Sequence, residues 1–172
     1  MTNLKLITFD GDVTLYPDGS TLLAENPVIP YIIKLLGRGI KVGIVTAAGY
    51  PDRQGTEYAR RLVGLLEAVS NSNLSDQQKS NLAILGGECN YLFRFNGSTR
   101  ELEWIDERVW LLDEMHSWAE EDVRTLLDLA QTSLQDCAAS LRLKVQIIRK
   151  PRAVGISLST VLMQASFQMA GG

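Results

Sequence analysis

Two short apolar runs, Leu4 to Phe9 and Ile40 to Val45, flank a helical period from Pro27 through Leu36, and this arrangement limits the possible folds more than any other feature. Each run is apolar and β-branched and stops at a glycine-containing turn or a small-residue segment, so each is read as a buried strand. Gly37 and Gly39 end the helix between them. Strand, helix, strand with short joints makes a right-handed βαβ unit whose strands lie parallel. The predicted class is α/β, with a doubly wound parallel sheet.

Further along, Glu57 to Val69 and Ser75 to Leu85 both carry a helical period, and Ser75 with Gln78 forms a capping-box signature. Asn90 to Phe95 and Arg100 to Ile105 alternate apolar and polar residues around Asn96-Gly97, which predicts a β-hairpin. A long helix is expected from near Ser117, with Glu120 three residues on, toward Leu141, and a further strand from Leu143 to Ile148. Hairpin and helices between two parts of a parallel sheet predict an inserted α+β cap. The expected division is 1–50 for the first part of the core, 51–141 for the cap, 142–156 for a return strand and 157–172 for an atypical tail. No charged residue occurs from Ala153 to Gly172, and the core is read as incomplete.

Composition removes several functions. Hydrophobic residues make up 45% and charged residues 22% of the 172, values of a soluble globular chain. A net charge of -3 offers no general attraction to nucleic acid or anionic lipid. No apolar run approaches the roughly 20 residues that span a bilayer, and the first run is too short for a signal-peptide core. Cys89 and Cys137 have no short metal-binding spacing, so a reducing compartment, the cytosol, is expected.

The chemistry concentrates in Asp10-Gly11-Asp12-Val13-Thr14. Two carboxylates two residues apart, just past a buried strand, lie at the carboxyl edge where open α/β sheets bind ligands. Their repulsion is relieved by a divalent cation or by protonation of one of them, and a hard oxygen-liganded ion such as Mg²⁺ suits the pair. A turn that uses Asp and Gly for backbone reasons alone is the plain alternative. Against it, Thr46 ends the adjacent strand, where its hydroxyl can hydrogen-bond a phosphoryl oxygen. Ala47, Ala48 and Gly49 are small enough for their N–H groups to approach the same phosphate.

Asp10-Gly11-Asp12-Val13-Thr14 resembles the first motif, D-x-D-x-T, of the haloacid dehalogenase superfamily, and Thr46 resembles its second. Longer strings narrow the match. Leu6 through Tyr16 with Asp18-Gly19, Val45 through Pro51, Asn90 through Phe95 and Ile148 through Ile156 are similar to the IMP-specific 5′-nucleotidase family. The resemblance implies a Rossmann-like core with an inserted cap, and hydrolysis of inosine 5′-monophosphate (IMP) with Mg²⁺. It makes Asp10 the nucleophile that forms an aspartyl-phosphate and Asp12 the general acid/base. Mg²⁺ would be held at Asp10 and Asp12, with Thr46 and Ala47 on the phosphate and Asp18 near the nucleoside. The superfamily also needs a lysine and a second acidic cluster, and neither Glu120-Glu121-Asp122 nor Lys150 reads as a replacement. A sugar-phosphate phosphatase and a truncated, inactive domain stay open as alternatives, and an unfinished sheet edge admits self-association.

Other residues carry weaker readings. Arg53 follows the second motif and is a candidate for an anionic ligand. His116, the sole histidine, is expected to be structural, Cys89 and Cys137 to be buried thiols, and Trp104, Trp110 and Trp118 to pack the cap. Arg149-Lys150-Pro151-Arg152 is expected to be an exposed strand end.

Overall fold

The computed structural model describes residues 4–48, 50 and 52–158. Gly49, Pro51 and the uncharged tail from residue 159 onward lie outside the described residues. The chain forms two compact units, Met1–Leu111 and Leu112–Gly172.

The first unit begins with β1 (Leu6–Asp10), α1 (Ile29–Gly37) and β2 (Lys41–Val45), the expected unit. β1 and β2 are parallel, with Asp10 opposite Val45. Then come α2 (Thr56–Arg61), α3 (Val63–Ser70), α4 (Asp76–Lys79), β3 (Leu82–Gly86), β4 (Tyr91–Phe95) and β5 (Leu102–Ile105). The five strands form one sheet in the order β1-β2-β3-β4-β5. The sheet is mixed: β3 is parallel to β2, β4 pairs antiparallel with β3, and β5 antiparallel with β4. The predicted hairpin exists and extends this sheet.

One expected helix is half helix, half strand. The capping box at Ser75 and Gln78 forms, but α4 ends at Lys79. Leu82 and Ile84 are fully buried on one face of β3, between β2 and β4. A short apolar run fits both periods, and pairing on both sides selects the strand. The segment from Glu57 to Val69 is helical but breaks at Leu62, which caps α2 and begins α3.

The core lies on one face of the sheet. Val42, Ile44, Leu82, Ile84, Phe93 and Phe95 cluster with Ile32 and Leu36 of α1 and with Leu65 and Val69 of α3. Their alternation follows the period-two pleat. The hairpin tip packs on α4, where a Cβ on Gly97 would stand 2.8 Å from the Asp76 Cα. Asn96 closes the loop by accepting from Ser98 and Thr99 N–H.

The second unit holds α5 (Glu120–Ser140), β6 (Val145–Arg149) and β7 (Val154–Leu158), with β6 and β7 in an antiparallel pair. Helix α5 starts three residues later than expected. Ser117 ends a short 3₁₀ turn and its hydroxyl donates to the Glu114 carbonyl, so it does not cap. Glu120, Glu121 and Asp122 fill the first turn, where acids suit the helix dipole. The basic turn after β6 is not simply exposed: Lys150 is buried, and Arg149 and Arg152 pair with Asp128 and Glu120 of α5. His116, Cys89 and Cys137 are exposed, which overturns the expected buried thiols and gives His116 no core role. No described helix is long and apolar enough to cross a membrane.

Gly64 marks the tightest backbone approach in the first unit. A Cβ there would lie 2.3 Å from both Ala24 N and Leu23 C, and backbone cannot yield. Gly64→Ala should therefore cost about 1–3 kcal/mol in urea unfolding. Gly155→Ala, with nothing within 4 Å of the new atom, should stay within about 0.5 kcal/mol.

Candidate functional site

The site begins with strand register. Because Asp10 lies opposite Val45, the turn after β1 and the residue after β2 leave the sheet together. Gly11 N–H donates to the Val45 carbonyl at 2.8 Å, which carries the pairing one residue beyond β1. The chain then closes tightly: Leu15 N–H reaches the Gly11 carbonyl at 2.8 Å, and Val13 adopts φ 65°. This turn has no room for a larger residue at position 11. A Cβ there would sit 2.5 Å from the Tyr16 hydroxyl and 3.4 Å from the Thr46 Cβ.

Asp10 stands exposed at the strand end and accepts a 2.8 Å hydrogen bond from the Thr14 hydroxyl. Asp12 is more enclosed, its side chain 19% exposed. The Thr46 hydroxyl donates to Asp12 Oδ2, and the Arg61 guanidinium pairs with Oδ1 through Nη2. Thr46 is itself buried and accepts from Ala48 N–H at 3.0 Å. The structure thus joins Asp12 and Thr46 directly and keeps Asp10 on the adjoining strand end.

Charge balance favours an ionised Asp12. Burial alone would raise its carboxyl pKa, but the Thr46 hydroxyl and the Arg61 guanidinium outweigh that and hold it below the ordinary 3.8. Burial likewise opposes the Arg61 charge, and contact with Asp12 more than restores it.

Arg61 is the site residue that sequence reasoning missed. Its signal was position: Tyr58, Leu62, Leu65 and Val69 form a buried helical stripe, and Arg61 sits beside it with a side chain 13% exposed. An arginine on an apolar stripe needs a partner. Arg61 also donates to the Tyr50 hydroxyl at 3.2 Å, and its guanidinium lies 5.5 Å from the centre of the Tyr16 ring. The Tyr58 hydroxyl in turn lies 3.1 Å from the Ala48 carbonyl and 3.0 Å from the Tyr50 carbonyl. That contact holds the segment after β2 against α2.

The remaining candidates stand apart. Ala47 is exposed beside Thr46, and Asp18 is exposed in the Pro17–Ser20 turn. Arg53 lies 5.1 Å from the centre of the Trp104 ring, an exposed cation–π contact. Among the described residues no group of three or more His, Cys, Asp or Glu could hold a metal. Asp10 with its neighbour is still the kind of one- or two-carboxylate site that Mg²⁺ shares with phosphate and water.

Known proteins share this arrangement's sequence and fold. A family model for IMP-specific 5′-nucleotidases matches residues 1–169. The IMP-specific 5′-nucleotidase 1 of Aspergillus fumigatus is 54% identical over 155 residues, covering 89% of this chain and 34% of that protein. The IMP-bound, N-terminally truncated IMP-nucleotidase of Plasmodium falciparum matches with a TM-score of 0.76 at 31% identity. That match covers 96% of this chain and 45% of the other. The ATP-bound form of the same enzyme gives 0.77 at 32% identity, over 92% of this chain and 36% of that one. This chain therefore spans about a third of the length of the curated relatives it matches.

Because the Asp12 carboxyl is held below its unfolded value, its contribution to stability is present above pH 3.8 and fades as pH falls through the lowered value. Asp12→Asn should cost about 1–3 kcal/mol at pH 7, by leaving Arg61 without its ionic partner. The gap from wild type should narrow progressively as pH falls below 3.8 and on through the lowered value. Urea unfolding at pH 7 and at a series of pH values below 3.8 measures both.

Proposed function

The chain belongs to the IMP-specific 5′-nucleotidase family, and from that premise we propose that it carries the reacting residues of a phosphomonoesterase acting on IMP. The observation that supports this most is the shared strand end: Asp10 and Asp12 on one turn, with Thr46 bonded to Asp12 from the neighbouring strand.

In this reading the Asp10 carboxylate attacks phosphorus and the bond to the 5′ oxygen of inosine breaks, leaving an aspartyl-phosphate. Asp12 gives the leaving oxygen a proton. Water then attacks the phosphorus, Asp12 takes a proton from it, and phosphate departs with Asp10 restored. Thr46 and the Ala47 N–H would orient the phosphoryl oxygens, Asp18 would meet the nucleoside part, and Arg53 is a candidate for an anionic group of the ligand. Asp12 rests ionised, held by the Thr46 hydroxyl and the Arg61 guanidinium. The proton it gives to the leaving oxygen must therefore be taken up from solvent as those donors let go once substrate is seated.

Mg²⁺ fits as a partner of the Asp10 carboxylate, which is exposed at the strand end, and of the Asp12 backbone carbonyl, since the Asp12 carboxylate is occupied. When bound it would offset negative charge on the transferring group. We place the chain in the cytosol, with IMP as its small-molecule partner. The division into a core (1–50), an inserted cap (51–141), a return strand (142–156) and a tail (157–172) is part of the same proposal.

Phosphate release from IMP, AMP and a hexose phosphate, with and without Mg²⁺, tests the reading. Mg²⁺-dependent release should be fastest from IMP and disappear in Asp10→Asn. Equal or faster release from the hexose phosphate would point to a sugar-phosphate phosphatase. No release from any of the three would mean that residues 1–172 alone do not make a working site.

A further inference from the structure

We propose that Arg61 is a phosphate-binding residue of this site, resting on Asp12 when no ligand is bound and turning its guanidinium to the phosphoryl group when one is. The inference rests on the reading of Asp10 and Thr46 as the place where that group sits.

The first argument is charge. A phosphate monoester brings up to two negative charges to a strand end that already carries two carboxylates, and such a cluster needs a cation of the protein's own. Arg61 is a cation that the structure places directly on this pair, through Asp12 Oδ1. Its planar fork suits phosphate as well as carboxylate, since both accept parallel N–H bonds.

The second argument is unused donor capacity. An arginine has five N–H donors. Nη2 serves Asp12 and Nη1 serves the Tyr50 hydroxyl, while Nε is buried with no hydrogen-bond partner. The Tyr16 hydroxyl, on the ring over which the guanidinium lies, stands close to both the Thr46 hydroxyl and the guanidinium. A buried, unpartnered Nε next to a carboxylate turn is hydrogen-bonding capacity that a ligand can take up.

The third argument is that the exchange is local. Both donors on Asp12, the Thr46 hydroxyl and the Arg61 guanidinium, are chemically suited to a phosphoryl oxygen. The arginine's backbone is held while its side chain moves. The Arg61 carbonyl accepts from Leu22 N–H at 2.8 Å, and Gly64 N–H donates to the Leu22 carbonyl at 3.0 Å. A guanidinium swing therefore needs no movement of α2.

Binding of inorganic phosphate to residues 1–172 in Mg²⁺, by calorimetry, tests this without requiring turnover. Arg61→Gln should weaken phosphate at least about tenfold, as loss of a charge-assisted pair does. Arg61→Lys should fall between the two, keeping the charge without the fork. If Arg61→Gln does not fold by circular dichroism, Arg61→Lys decides alone, with weaker binding than wild type supporting the proposal. Phosphate bound equally by wild type and the deciding variant, or not bound by wild type at all, would overturn it. Phosphate that binds through Arg61, with no release from IMP by the same sample, would leave this inference standing and show that residues 1–172 alone do not make a working site.

Discussion

Everything at the candidate site depends on the parallel pairing of β1 with β2. The register sets Asp10 against Val45, so the two chains leave the sheet side by side. A shift of one residue would turn Asp10 toward the core and Phe9 away from it, because side chains alternate across the sheet. The apolar face that fixes this register, Ile44 with Ile84 and Phe93, is therefore also what aims the carboxylates. Packing and chemistry share one constraint.

On that frame the charges form a compact circuit. Asp12 is supplied with a hydroxyl from one strand and a guanidinium from a helix, and each is itself held: Thr46 by Ala48 N–H, Arg61 by Tyr50. Tyr58, fully buried, ties the strand-end segment and α2 together through two carbonyls. The aromatic core lies beneath, with the Tyr58 ring 5.2 Å from that of Phe93. Asp10 lies outside this circuit, bonded to Thr14 and open to solvent.

Much of this could be read from the chain. The βαβ unit, the hairpin and the capping box at Ser75 follow from short-range patterns whose physics is local, whereas the Thr46 hydroxyl, expected on a phosphoryl oxygen, bonds to Asp12 across 34 residues. Leu82–Gly86 was misread because a five-residue apolar run satisfies two periods, and only its neighbours in the sheet choose between them. Arg61 escaped for another reason: an arginine near a helix end usually faces water, and its 49-residue separation from Asp12 leaves no local trace. The exposed thiols of Cys89 and Cys137 show the limit of residue-type averages. Cys89 sits in a turn with φ 65°, where backbone conformation and not hydrophobicity decides placement.

The clearance at Gly11 has an evolutionary consequence. Its missing side chain is filled by the hydroxyl end of Tyr16, so the two positions behave as a single unit of variation. A methyl group can enter at position 11 only where the hydroxyl is gone from position 16, and even then the ring carbon at 3.2 Å asks for a small shift. Drift at either position is thus conditional on the other. A lineage that lost the tyrosine hydroxyl first would open a path to larger residues in the turn after β1, whereas one that changed the glycine first would meet a steric dead end.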